Sequence, residues 1–150
     1  MPGGFGGRVI DLFAGTGALG IEALSRGAVH ALFIEKSSDA ARVTRENLLR
    51  ADFAERARVL VDEAGRALPK LRSAGEDPFD TAFLDPPYGS SLAAETAALL
   101  VSEELLAQGG VVVIELGARD APLRAAGLET FREKRYGDTR VAFLRHAGSS

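Results

Sequence analysis

One tetrapeptide in this 150-residue chain has the makings of a reaction centre: Asp85-Pro86-Pro87-Tyr88, directly after the apolar pair Phe83-Leu84. Successive prolines fix φ and remove two backbone donors, and each drives the residue before it toward extended geometry. The outcome is a stiff turn offering a carboxylate, bare carbonyl oxygens and one aromatic ring. An amino group on a nucleobase or amide is a weak nucleophile because its lone pair is delocalised. Acceptors aimed at its two N–H bonds favour a pyramidal nitrogen and localise that pair. Asp85 and the carbonyl of Pro86 can be those acceptors, and Tyr88 can stack on a planar base drawn out of its surroundings. The plain alternative is a proline turn closing a buried strand. Asp85, Pro86, Pro87 and Tyr88 are the expected catalytic set.

A second constellation lies near the start of the chain, in Asp11-Leu12-Phe13-Ala14-Gly15-Thr16-Gly17-Ala18-Leu19-Gly20. Gly15, Gly17 and Gly20 satisfy G-x-G-x-x-G between a strand and a helix, and an acid, Glu35, ends the next strand. By itself this matches a dinucleotide fingerprint. Asp11 argues otherwise. A dinucleotide would bring a pyrophosphate to this loop, and a nearby carboxylate repels it. S-adenosylmethionine brings an ammonium and a sulfonium and no phosphate, so an acid suits it, directly or through water. Asp11 could also serve only to tie down the loop backbone. Glu35 is then placed to hold ribose hydroxyls as a charged acceptor. Asp62, just after the third strand, can accept from the adenine amino group, with Glu63 and Ala64 beside the ring, or it can cap the helix that follows. Asn47 reads as an ordinary helix-surface residue.

These groups need a frame. Arg8 to Phe13 reads as a first strand, and about Ala18 to Ser25 as a helix stopped by Gly27. Ala31 to Glu35 is a second strand. Ser38 to Arg50 is a helix with Ser37 or Ser38 as N-cap and Ala41, Val43, Leu48 and Leu49 as buried candidates. Arg58 to Val61 is a third strand, followed by a short helix to about Leu71. Thr81 to Leu84 is a fourth strand, and about Leu92 to Leu106 a fourth helix. Val111 to Leu116 is a fifth strand whose continuous apolar run suggests cover on both faces. Glu129 to Tyr136 and Thr139 to Leu144 read as two strands joined at Gly137-Asp138. The expected fold is α/β and Rossmann-like: a mostly parallel sheet flanked by helices, with a C-terminal antiparallel hairpin. Residues 1–7 and 147–150 are expected to be flexible ends of one domain spanning 8–146.

Bulk composition agrees with one globular domain: 46% hydrophobic and 26% charged residues in 150. The N-terminus lacks a signal-peptide layout, no apolar run reaches ~20 residues, and a cytoplasmic location is expected. The chain has no cysteine, and its two histidines, His30 and His146, lie far apart; no metal site is expected. A net charge of −3 does not advertise nucleic-acid binding. Basic bias is local, in Arg42, Arg45, Arg50, Arg56 and Arg58 and again in Arg132, Lys134, Arg135, Arg140 and Arg145. Solvated faces are the commoner explanation for such residues.

On the stretch from Asp11 to Ala28, on Phe33-Ile34-Glu35-Lys36, on the tetrapeptide and on Tyr136-Gly137-Asp138-Thr139, the chain closely resembles the bacterial 16S rRNA guanine-N2 methyltransferases of the RsmD family. The resemblance runs from about Gly7 to Leu144. It implies a seven-stranded S-adenosylmethionine-dependent methyltransferase fold, and methylation of a guanine exocyclic amine in 16S rRNA. The expected partner is the rRNA or an assembled 30S particle, met by a monomer without metal or membrane. It also implies cofactor contacts from Asp11, Phe13, Ala14, Gly15, Thr16, Gly17, Glu35, Lys36, Asp62, Glu63 and Ala64. Members of that family begin with a further basic segment that helps hold the methionine end of the cofactor and contacts RNA. Such a segment is expected to be missing ahead of Arg8.

The tetrapeptide is shared with adenine-N6 methyltransferases and, in an Asn form, with glutamine methyltransferases, so both remain open from the residues. In one class of DNA adenine enzymes the tetrapeptide precedes the glycine motif, the reverse of the order here. A catalytically idle cofactor- or RNA-binding fragment is a third reading. A nicotinamide oxidoreductase is opposed by Asp11 and by the lack of a hydride-transfer pattern.

Overall fold

The computed structural model describes residues 6–87, 91–117, 120 and 124–147. Tyr88 and the outermost residues of both ends lie outside that set. β1 (Arg8–Leu12), β2 (His30–Glu35), β3 (Ala57–Val61), β4 (Phe79–Leu84) and β5 (Leu106–Gly117) alternate with α1 (Ala18–Ser25), α2 (Ser38–Arg50), α3 (Ala64–Ser73) and α4 (Leu92–Ser102). A hairpin of β6 (Leu128–Tyr136) and β7 (Thr139–His146) closes the chain. The strands form one seven-stranded sheet in the order β3-β2-β1-β4-β5-β7-β6. β1 to β5 are parallel to one another, and β7 runs antiparallel to both β5 and β6.

Strand side chains alternate between faces, and the core splits accordingly. Ile10, Leu12, Leu32 and Ile34 pack with Ala67, Leu68 and Leu71 of α3 and with Ala97 and Leu100 of α4. Val9, Ala31 and Phe33 pack on the other face with Ala23 and Leu24 of α1 and Leu48 of α2. Ser37 caps α2 as expected, its side chain accepting from the Ala40 amide at 3.2 Å. Gly27, at φ 106°, follows the end of α1.

Three local expectations change. α4 ends at Ser102, short of the expected Leu106. Glu104 turns left-handed at φ 55°, and Leu105 carries its carbonyl to the Phe79 amide at 2.8 Å. Burial of Leu105 and Leu106 at the foot of the sheet overrides their helix propensity. Leu49 is 69% exposed rather than buried, since α2 turns Leu48 inward instead. In β5, Val112, Ile114 and Leu116 are buried while Val111, Val113 and Glu115 are half-buried. On the α1–α2 face Phe83 is buried and Val113 packs against that core, with Val113 and Phe143 also edging a shallow hollow.

The order reversal between β1 and β4 sets the position of any ligand cleft. In open parallel sheets, ligands bind beyond the carboxyl ends of the strands at such a switch point. Leu12 pairs with both Ile34 and Leu84, and Leu84 pairs with Ile114. Glu35, Phe13, Asp85 and Glu115 therefore stand in a row, each one residue past that register.

Candidate active site

After Leu12 the chain turns through Phe13 to Gly17 before entering α1. Phe13 has φ 66°, with Gly15 at 57° and Gly17 at 83°. A left-handed phenylalanine costs of order 1 kcal/mol or more and persists only where its surroundings hold it. Here they do. Ala14 donates to the Ile34 carbonyl at 3.0 Å, and Gly17 donates to that of Ala14 at 2.8 Å. The Gly15 amide donates to Glu35 Oε1 at 3.0 Å. From α2, Thr44 Oγ1 donates to the Gly15 carbonyl at 2.7 Å, and Asn47 Nδ2 donates to that of Thr16 at 3.0 Å. The third glycine is a packing requirement: a Cβ on Gly20 would lie 2.3 Å from Phe33 Cε1.

Asp11 sits beneath this loop, 2% exposed. Its Oδ2 accepts from the Gly20 amide at 3.0 Å, which is the loop-tying arrangement. Burial pushes its carboxyl up to about 8; the Gly20 amide opposes the shift, and the Asp85 and Glu35 charges add to it. Asp11 is not among the residues bordering the cleft.

The cleft itself is a cavity of about 890 Å³ at the carboxyl ends of the first five strands. Phe13, Glu35 and Lys36 border it from β1 and β2, and Asp62, Glu63 and Ala64 from β3 and the start of α3. Asp85, Pro86 and Pro87 border it from β4. The sequence had placed all nine in one site, and the sheet brings them together. Ala14, Gly15, Thr16 and Gly17 build the adjoining loop without bordering the cavity. Tyr88 lies outside the described residues.

Glu35 is positioned by two amides, accepting from Gly15 and, at 2.7 Å, from Ser37. Asp62 accepts from the Glu63 amide at 2.8 Å and pairs with Lys70 at 3.1 Å. That lysine bond, aided by the amide, holds its carboxyl below the usual range. Glu63, not Asp62, is the N-cap position of α3, and its side chain makes no cap bond.

The cavity has further lining residues that sequence motifs do not single out. Leu92, Thr96 and Leu99 of α4 supply an apolar wall, Glu95 an acid and Glu115 of β5 another. Glu115 carried a usable signal: like Glu35, it is an acid at the end of an apolar strand. Thr44 and Asn47 carried none, because their loop partners are 29 and 31 residues away in the chain. Glu115 stands beside Asp85, each one residue past the Leu84–Ile114 pair. Burial, then the Asp85 charge and the bond to it, raise the Glu115 carboxyl above its ordinary value. Burial also raises Asp85, while the bond from Glu115 opposes the shift. Asp85 stays open to the cavity.

The acids bordering the cavity are Glu35, Asp62, Glu63, Asp85, Glu95 and Glu115, against Lys36 as the basic residue among its described lining. Such a cleft repels phosphates and attracts cationic groups. Glu35 can hold a diol, the apolar wall can take a flat ring, and the Asp85 turn can receive an amino group. Among the described residues no group of three or more His, Asp or Glu side chains is arranged to hold a metal ion. No helix there is long and apolar enough to cross a membrane.

Known proteins are similar to this chain in sequence and in fold. The Bacillus subtilis protein named "Putative rRNA methyltransferase YlbH" is 35% identical over 144 residues, covering 95% of this chain and 78% of the relative. The "Ribosomal RNA small subunit methyltransferase D" of Escherichia coli K12 is 35% identical over 128 residues, 85% of this chain and 62% of the relative. The chain thus spans less than two thirds of the E. coli relative, and 58% of its Haemophilus influenzae namesake. A solved conserved hypothetical protein from Streptococcus pyogenes superposes with a TM-score of 0.87 at 36% identity, over 98% of this chain and 91% of that one. SMU.776, a structure complexed with SAH, shares the fold at TM-score 0.77 and 12% identity, over 91% of this chain and 44% of that one. The fold is the Rossmann-like fold of S-adenosylmethionine-dependent methyltransferases. Residues 2–145 match the family described as Conserved hypothetical protein 95, and with these relatives the chain belongs to that RsmD-like family.

Proposed function

We propose that this chain methylates an exocyclic amino nitrogen at the expense of S-adenosylmethionine, and that the amine is guanine N2 in 16S rRNA of the small ribosomal subunit. The observation that carries the reading is the placement of Asp85, on its two-proline turn, in the same acidic cavity as Glu35 and Asp62. The acidic lining favours a cationic cofactor over a pyrophosphate. The printed names of the E. coli and H. influenzae relatives supply the rRNA class; guanine N2 rests on the family resemblance alone. The assembled 30S particle as substrate, and action as a cytoplasmic monomer without a metal, belong to the same proposal.

Glu35 would hold the ribose hydroxyls of the cofactor. Asp62, with the backbone of Glu63 and Ala64, would hold its adenine, and Phe13 and Lys36 would border it. When bound, S-adenosylmethionine supplies a methyl carbon on sulfonium: the carbon–nitrogen bond forms as the carbon–sulfur bond breaks, and the electron pair leaves with sulfur. Asp85 accepts from one N–H of the substrate amine and the Pro86 carbonyl from the other, directing the nitrogen lone pair at that carbon. Positioning of this kind supplies much of the rate. The methylated nitrogen carries an acidic proton and loses it to Asp85 or water, so no strong base is needed. Tyr88 is assigned to stack on the extruded base.

The test is transfer of label from S-adenosylmethionine to undermethylated 30S particles, naked 16S rRNA, DNA and a release factor, followed by mapping of the product. Label on guanine N2 of the rRNA, abolished in Asp85→Ala, is the expected result. Label on adenine N6 or on a glutamine would replace the substrate assignment, and cofactor binding without any transfer would identify an idle module. Calorimetry with S-adenosylhomocysteine and NADH checks the cofactor; preferential NADH binding would sink the reading.

A further inference from the structure

The parallel pairing of Leu84 with Ile114 brings Asp85, just past the end of β4, beside Glu115 of β5. Phe83 and Val113, two residues earlier on each strand, pack on the α1–α2 face, so Asp85 and Glu115 project to the same side. Both border the cavity, and each carboxyl acts on the ionisation of the other. Two carboxyl groups at adjacent strand positions in one cavity favour holding a proton between them, since ionising both brings like charges together. The two are not equivalent: Asp85 raises the Glu115 carboxyl, whereas Glu115 lowers that of Asp85, which favours the proton on Glu115 and the charge on Asp85.

We infer that Glu115 is a positioning residue: as a neutral acid it donates a hydrogen bond to the Asp85 carboxylate and turns that group's remaining lone pairs toward the substrate amine. This rests on the proposed reading of Asp85 as acceptor, and assigns a role to a residue outside the tetrapeptide. A fixed acceptor matters because the amine must meet Asp85 and the Pro86 carbonyl together; a freely rotating carboxylate would satisfy only one geometry in several. Of the neighbouring groups, β1 contributes Asp11, which burial keeps protonated up to about pH 8, and α4 contributes Glu95, an acid bordering the same cavity. On β7, the Arg140 guanidinium is engaged with the carbonyls of Gly117 and Asp120 and lies 3.9 Å from Glu133. Lys36 follows β2, three strands from β5.

The first test needs no substrate. Side-chain 13C NMR titration of the full chain should show Glu115 and Asp85 titrating as a coupled pair, with Glu115 the later to lose its proton. Asp85→Asn should lower the Glu115 midpoint. Glu115→Ala should raise that of Asp85, whereas Glu115→Gln, which still donates from its amide, should leave it low. Independent titrations at ordinary values would overturn the inference. The second test is kinetic. Glu115→Ala should lose roughly 10- to 100-fold in kcat with KM for S-adenosylmethionine unchanged. Glu115→Gln should stay within about threefold of wild type and lack the alkaline limb of the pH–rate profile. A Gln variant as impaired as the Ala variant, or an Ala variant as active as wild type, would refute the role. Thermal melts of both variants separate loss of fold from loss of position. A wild-type chain that methylates no RNA would overturn the rRNA reading instead, and the titration would then decide the pairing by itself.

Discussion

Asp11 accepts a 3.0 Å hydrogen bond from the Gly20 amide, joining the end of β1 to the first turn of α1 beneath the glycine loop. The carboxyl is nearly inaccessible, and burial pushes it up to about 8. The folded chain therefore binds this proton more tightly than the unfolded one, whose group titrates near 3.8. Where the folded state holds the extra proton, stability falls as pH rises.

That sign gives a first prediction. Between pH 4 and about 8, the wild type should lose stability relative to Asp11→Asn, which keeps an acceptor for Gly20 and cannot ionise. Urea midpoints at pH 5 and pH 8.5 should show the variant gaining on wild type at the higher value. Equal pH dependence in the two proteins would mean that Asp11 is solvated or paired in solution.

Gly20 and Phe33 define a second. Because a Cβ at Gly20 would lie 2.3 Å from the Phe33 ring, Gly20→Ala should cost about 1–3 kcal/mol through overpacking. Adding Phe33→Leu should restore part of that loss, giving a favourable coupling in a double-mutant cycle by chemical denaturation. Additive effects would place the clash elsewhere.

Removing Glu35 should damage both loop and cofactor site. Its carboxylate takes the amides of Gly15 and Ser37, and charged hydrogen bonds are worth about 1.5–3 kcal/mol each. Glu35→Ala should weaken S-adenosylhomocysteine binding by roughly 10- to 100-fold in calorimetry. Unchanged affinity in a folded variant would dissociate Glu35 from the cofactor.

Asp85→Asn separates binding from transfer. The amide is similar in shape but carries no charge, and one of its faces repels an N–H donor. Cofactor affinity should stay within about threefold while kcat falls ~100-fold or more, the usual cost of losing one preorganised electrostatic partner. Parallel loss of affinity and rate would recast Asp85 as a cofactor ligand.

The helix α2 offers a subtler check. Thr44 and Asn47 hold the carbonyls of Gly15 and Thr16, so Asn47→Ala should cost about 0.5–1.5 kcal/mol and speed amide exchange in the loop. Wild-type exchange rates at Gly15 and Thr16 would show that the contact is dispensable.

What the sequence determined by itself was chemistry with a local cause. Two prolines stiffen any turn, three glycines at that spacing allow a close loop, and apolar runs ending in an acid announce strand ends. The β-α alternation and the hairpin at Gly137 followed from such periodicities. The tertiary structure decided everything that depends on register between distant segments. Asp85 and Glu115 are neighbours only because β4 pairs with β5, and Asn47 meets Thr16 only because α2 packs beside the loop. The residues around Asp11 favour a cofactor-facing acid over a loop tie, and burial at the centre of the sheet turns it instead to the Gly20 amide, away from the cavity lining. Leu49 and the early end of α4 failed the local reading for the same reason: which face of a helix is inward is set by what it packs on, not by its own residues.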